Sequence, residues 1–119
     1  MIVVHDAARP LASPGLFAAV IEAVRDGADA ALPAVPVTDN IRHRDGSPVD
    51  RDELVAVQTP QAFAAGRLRA VHAPEPEATD DASLVEAAGG TVVVVAGESR
   101  NAKITSPDDS CDRFLGTSE

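Results

Sequence analysis

The sequence has no tryptophan, no tyrosine and only three phenylalanines, so aromatics are 3% of its 119 residues. Its core must therefore be packed from small aliphatic side chains, chiefly alanine and valine, within a hydrophobic content of 45%. Cys111 is the single cysteine, which excludes a disulfide framework and a cysteine-based metal site. Positive charge is scarce. Ten basic residues face nineteen acidic ones, for a net charge of −9. No broad basic face is left to neutralise a nucleic acid. A small phosphorylated ligand needs only a few placed cations and stays open. Lys103 is the only lysine beside nine arginines. No apolar run approaches membrane-spanning length, and the first residues do not read as a charged leader. No membrane association is expected, and a soluble, cytoplasmic chain is the default. The eight glycines form neither GxGxxG nor GxxxxGK[ST], the backbone cradles of dinucleotides and triphosphates. There is no GxSxG elbow and no HExxH pair. His5, His43 and His72 are scattered and read as structural or solvated.

The length suits one small domain with a modest core. Ile2-Val3-Val4 is apolar without alternation and reads as a strand buried on both faces. Ser13-Pro14 starts a helix, with serine as N-cap and proline in the first position. Leu16, Phe17, Val20, Ile21 and Val24 share its apolar face, and Asp26-Gly27 ends it. Ala30 to Val35 reads as the next strand, paired in parallel with Ile2–Val4 through a right-handed crossover. Asp45-Gly46, between Ile41-Arg42-His43 and Pro48-Val49, signals a hairpin with little apolar surface to bury. Leu54 to Val57 reads as a strand. Thr59-Pro60 reads as the start of a helix running to about His72, with Phe63, Leu68 and Val71 as apolar contacts. Thr79 or Asp80 caps a third helix through Leu84 and Val85, closed by Gly89-Gly90. Thr91 to Ala96 is another all-apolar strand, and Ser106-Pro107-Asp108-Asp109 opens a last helix. Cys111, Phe114 and Leu115 are expected to face the core. Alternating strands and helices give an α/β fold.

The polar cluster His5-Asp6-Ala7-Ala8-Arg9-Pro10 follows the first strand directly. In open α/β sheets ligands bind at the carboxyl ends of strands. A carboxylate and a guanidinium placed there suit a cation-bound phosphate. The residues alone also allow a plain polar turn with Asp6 and Arg9 solvated. Asp39, Arg51, Thr59, Asp80, Asp81 and Lys103 are the other polar residues at strand ends and loop tips. Each has an equally simple reading as a cap, a turn residue or a surface charge.

Five segments in register carry more. They are Val4-His5-Asp6-Ala7-Ala8-Arg9-Pro10, Pro36-Val37-Thr38-Asp39, Gln58-Thr59-Pro60-Gln61-Ala62-Phe63, Thr79-Asp80-Asp81-Ala82-Ser83 and Gly97-Glu98-Ser99-Arg100-Asn101-Ala102-Lys103-Ile104-Thr105. Together they resemble the 2-C-methyl-D-erythritol 4-phosphate cytidylyltransferases of the non-mevalonate isoprenoid pathway. Polyol-phosphate enzymes of the ribitol 5-phosphate type share much of the pattern and are the nearest alternative. A non-catalytic dimerisation or ligand-binding remnant is the third.

The resemblance implies transfer of CMP from CTP to methylerythritol phosphate with release of pyrophosphate. It implies that Asp6 helps hold Mg²⁺ near the CTP phosphates. Ala7 and Arg9 would lie by the substrate, Arg9 beside its phosphate, and Thr59 would contact the methylerythritol part. Lys103 would position the attacking phosphate and offset charge at the reacting phosphorus, and with Arg51 it would be catalytic. Arg51 would sit on a hairpin arm, at about residues 37–52, that crosses to the other subunit of a homodimer. Asn40 stands where the family usually has a substrate-contacting threonine. The implied fold is a partial Rossmann-like nucleotidyltransferase sheet with flanking helices and a protruding arm. Residues 1–119 would be the C-terminal part of one domain, without the glycine-rich CTP loop. Such a chain is expected to be inactive alone, and to expose an apolar sheet edge at Ile2–Val4 that favours association.

Overall fold

The computed structural model describes residues 1–66 and 81–106. Five strands form one mixed sheet: β1 (Ile2–Val4), β2 (Ala30–Pro36), β3 (Val55–Val57), β4 (Gln61–Phe63) and β5 (Val92–Ala96). Two helices, α1 (Pro14–Arg25) and α2 (Asp81–Ala87), pack against it. The fold is α/β, as expected.

β2 is the centre. It pairs in parallel with β5 on one side and antiparallel with β3 and β4 on the other. Ala30 and Leu32 face a cluster with Phe63, Ala82, Leu84 and Val85. Ala31 faces the opposite cluster, with Val20, Val24 and Ala62. An all-apolar strand is what a sheet covered on both faces requires.

Helix α1 forms where its signals lie. The Ser13 hydroxyl accepts from the Leu16 amide at 3.1 Å, Pro14 holds the first position, and Leu16, Val20 and Val24 are buried. Gly27, at φ +119°, turns the chain out of the helix. At the end of α2, Gly90 donates to the Val85 carbonyl at 2.8 Å. A Cβ there would lie 2.5 Å from Val85 Cγ1, so only glycine allows that closure.

Two expectations are corrected. Ile2–Val4 is neither buried on both faces nor beside β2. β4 lies between them, antiparallel to both, and Phe63 stands opposite Ile2 and Ala30 at once. β1 pairs with β4 alone among the described residues, and Val3 and Val4 remain 37% and 38% exposed. The second correction concerns Thr59-Pro60, which does not begin a helix. The bond is cis, and Gln61-Ala62-Phe63 continue as β4. Here two strand partners and a fully buried Phe63 outweigh the local cap signal. Helical backbone starts only at residue 65, and the rest of the expected helix to His72 lies outside the described residues. So do the cap at Thr79 or Asp80 and the last helix with Cys111, Phe114 and Leu115.

The arm leaves the sheet after Pro36. It closes as a hairpin with an isolated Arg42–Pro48 bridge and a three-residue loop, Arg44 to Gly46. Gly46 sits at φ +91°, as the loop's third position demands. Asp45 Oδ1 accepts from the Ser47 amide at 2.9 Å and its hydroxyl at 2.7 Å. These bonds hold the Asp45 carboxyl below its ordinary range. A short 3-10 turn, Arg51–Glu53, returns the chain to β3.

Candidate active site

The turn after β1 places Asp6 and Arg9 side by side. The Arg9 amide donates to the Asp6 carbonyl at 3.0 Å, and Arg9 Nε lies 3.5 Å from Asp6 Oδ2. Arg9 is only 14% exposed. Its Nη1 donates to the Asn101 carbonyl at 2.8 Å, while its buried Nε makes no hydrogen bond among the described residues. The guanidinium is thereby fixed beside the Asp6 carboxylate.

The segment after β5 is stitched to this turn. Ile104 donates its amide to the Ala8 carbonyl at 2.8 Å. That brings Lys103 Nζ within 4.0 Å of Asp6 Oδ2, although the two residues are far apart in sequence. Thr59 enters from the bend between β3 and β4. Its hydroxyl accepts from the Asp6 amide at 3.0 Å and meets His5 Nδ1 at 3.0 Å. This explains Thr59 without any helix to cap.

A buried amide pair supports the bend. Gln58 Nε2 donates to the Glu98 carbonyl at 2.8 Å, and its Oε1 accepts from the Glu98 amide at 3.1 Å and from Asn101 Nδ2 at 3.2 Å. Asn101 Nδ2 also donates to the Thr59 carbonyl at 2.7 Å. The Glu98 carboxylate in turn accepts from the Ser13 amide at 3.2 Å and its hydroxyl at 2.5 Å, tying the network to α1.

These residues frame a cleft of about 430 Å³ lined by Val4, Asp6, Arg9, Thr59, Asp81 and Lys103, with Val57, Gln58 and Gln61. Of the residues singled out from sequence, Asp6, Arg9, Thr59, Asp81 and Lys103 thus come together in one cleft at the carboxyl end of β1. Ala7 lies in the turn between Asp6 and Arg9, exposed and outside the cleft lining. Asn40 and Arg51 do not join them. They line a separate cleft of about 420 Å³ on the arm, where Arg51 Nη1 donates to the Thr38 carbonyl at 2.8 Å and to Asn40 Oδ1 at 3.4 Å. Asp80 lies outside the described residues. No group of three metal-ligating side chains occurs among the described residues. None of the described helices is long and apolar enough to cross a membrane.

Sequence reasoning missed Gln58 and Asn101. Both stand inside the segments that carry the family resemblance, Gln58 beside Thr59 and Asn101 two residues before Lys103, but no role was assigned to either. A buried amide carries no charge, so its residue type alone does not single it out.

The chain is similar to proteins whose family is known. The 2-C-methyl-D-erythritol 4-phosphate cytidylyltransferase of Rubrobacter xylanophilus is 55% identical over 114 residues, covering 89% of this chain and 49% of that protein. A bifunctional IspD/IspF enzyme of Solidesulfovibrio magneticus is 47% identical, covering 92% of this chain and 29% of that protein. The crystal structure of the cytidylyltransferase from Thermus thermophilus superposes with a TM-score of 0.82 at 43% identity, over 90% of this chain and 56% of that one. The chain therefore spans about half the length, or less, of the relatives it matches. The profile of the family described as IspD, 2-C-methyl-D-erythritol 4-phosphate cytidylyltransferase, matches residues 1–112, and the chain belongs to that family.

Proposed function

We propose that this chain supplies the acceptor side of a cytidylyltransferase that moves CMP from CTP to 2-C-methyl-D-erythritol 4-phosphate, in isoprenoid precursor synthesis. The observation that carries this reading is the convergence of Asp6, Arg9, Thr59 and Lys103 on one cleft. The reaction needs no general base. A phosphate monoester has its second pKa near 6, so its oxygen is largely ionised at neutral pH. That oxygen attacks the α-phosphorus of CTP. The new P–O bond forms as the bond to the β-phosphate oxygen breaks, and pyrophosphate leaves with the electron pair. The task is to bring two polyanions together and offset charge at phosphorus.

The side chains suit that task. Arg9 and Lys103 would hold the acceptor phosphate, with Arg9 fixed by the Asn101 carbonyl. Asp6 presents a half-exposed carboxylate at the cleft mouth. Mg²⁺ is commonly held by one or two carboxylates together with substrate phosphates, and Asp6 fits that role, with Asp81 as the second carboxylate in the lining. When bound, the ion would neutralise phosphate charge. The arm exposes Ile41, and Leu54, Val55 and Val57 at its base are exposed too, which supports its reading as a dimerisation element. Arg51 and Asn40, remote from this cleft, would then serve a partner subunit's site.

Calorimetric titration with methylerythritol phosphate and with ribitol 5-phosphate, each with Mg²⁺, tests the reading. Methylerythritol phosphate is expected to bind more tightly. Lys103→Ala should weaken it by roughly tenfold, the scale of one charge-assisted contact. A preference for ribitol 5-phosphate would transfer the chemistry to another polyol. Binding of neither would remove the reading. Pyrophosphate release from CTP by these 119 residues is expected to be negligible, since the sequence carries no glycine-rich phosphate cradle.

A further inference from the structure

His5 was expected to be structural or solvated, yet its ring touches the cleft through Thr59. Nε2 lies 2.9 Å from the Arg9 carbonyl oxygen. A carbonyl has no proton to give, so Nε2 must carry the proton of the neutral ring. Nδ1 is then an acceptor, and the group 3.0 Å away is the Thr59 hydroxyl. The hydroxyl proton is therefore spent on His5. One of its two lone pairs is also spent, because the Asp6 amide donates to the same oxygen at 3.0 Å. What remains is one lone pair on a residue that lines the cleft. The ring is further set by an edge contact with Phe17, centroids 5.1 Å apart at 65°.

We propose that His5 is a positioning residue that fixes the polarity of Thr59. With its proton turned to His5, Thr59 offers the cleft an acceptor and no donor. It can take a ligand hydroxyl but not an ionised phosphate oxygen, which only accepts. The ligand is thereby oriented: its phosphate goes to Arg9 and Lys103, and a sugar-chain hydroxyl goes to Thr59. This orientation rests on the proposed binding of a polyol phosphate. The polarity of Thr59 does not.

The test uses the full 119-residue chain with ¹⁵N-labelled histidine, observed by long-range ¹H–¹⁵N correlation. His5→Gln assigns the His5 signals. The expected pattern is a protonated Nε2 and a bare, hydrogen-bonded Nδ1. Thr59→Val should move Nδ1 towards a free ring nitrogen, and Thr59→Ser should restore it. A protonated Nδ1 overturns the proposal. In the same samples, methylerythritol phosphate and inorganic phosphate are titrated separately. Thr59→Val should cut the preference for the polyol phosphate by roughly five- to tenfold, the scale of one hydrogen bond, and leave inorganic phosphate unaffected. An unchanged preference overturns the orientation. A wild-type chain that binds neither probe overturns the functional reading instead, and the nitrogen pattern still decides the role of His5.

Discussion

The Asn101 side chain reaches across 42 residues of sequence to donate 2.7 Å to the Thr59 carbonyl. The same residue's carbonyl accepts from Arg9 at 2.8 Å. One buried asparagine thus sets the relative position of the Arg9 guanidinium and a hydroxyl that lines the cleft.

Asn101→Ala should therefore unsettle both fold and site. Two side-chain bonds vanish: the part-buried Thr59 carbonyl loses its donor, and Gln58 Oε1 keeps only the Glu98 amide. Leaving that carbonyl unmatched costs about 1–3 kcal/mol. Urea unfolding should report a loss of that size, with the midpoint lowered and the slope unchanged. A variant as stable as the parent would mean that water replaces the amide without penalty.

Gly97 is expected to resist any side chain. A Cβ would stand 2.7 Å from Gln58 Oε1 and 3.1 Å from the Ala34 carbonyl carbon and oxygen. Gln58 is locked by its bonds to Glu98 and Asn101, so it has little room to yield. Gly97→Ala should cost about 1–3 kcal/mol, the range of overpacking. Gly15→Ala is the control of opposite sign. Its Cβ would meet only Ser13 Oγ, at 3.7 Å, early in α1, where alanine gains up to about 1 kcal/mol over glycine. Thermal unfolding of both variants should move the midpoint in opposite directions.

The arm has its own acid sensitivity. The Ser47 hydroxyl, then the Ser47 amide, hold the Asp45 carboxyl low. A carboxyl depressed in the folded hairpin lends stability above its unfolded pKa, and that contribution fades as pH falls through the folded value. Ser47→Ala should raise the Asp45 titration midpoint, read from its carboxyl ¹³C shift, and let the loop loosen at a higher pH. Full exposure of Asp45 keeps the effect local. An unmoved midpoint would assign the depression to something other than Ser47.

Local order was legible wherever neighbours in sequence decide it. Ser13-Pro14 capped α1, Gly27 and Gly90 ended helices, and the apolar run at 30–35 became the central strand, which extends to Pro36. Asp6, Arg9, Thr59 and Lys103 could be named from short motifs, because charge and hydroxyl chemistry show in the residue type. Tertiary structure decided the rest. Gln61-Ala62-Phe63 became a strand because two partners and a buried Phe63 outweigh a local cap, and this same insertion separated β1 from β2. The roles of Gln58 and Asn101 and the tautomer of His5 were not legible, because such a hydrogen bond is defined by its distant partner. Sequence by itself determined which groups could bind a phosphate. Only the folded chain decided how they face one another, since that depends on contacts between residues tens of positions apart.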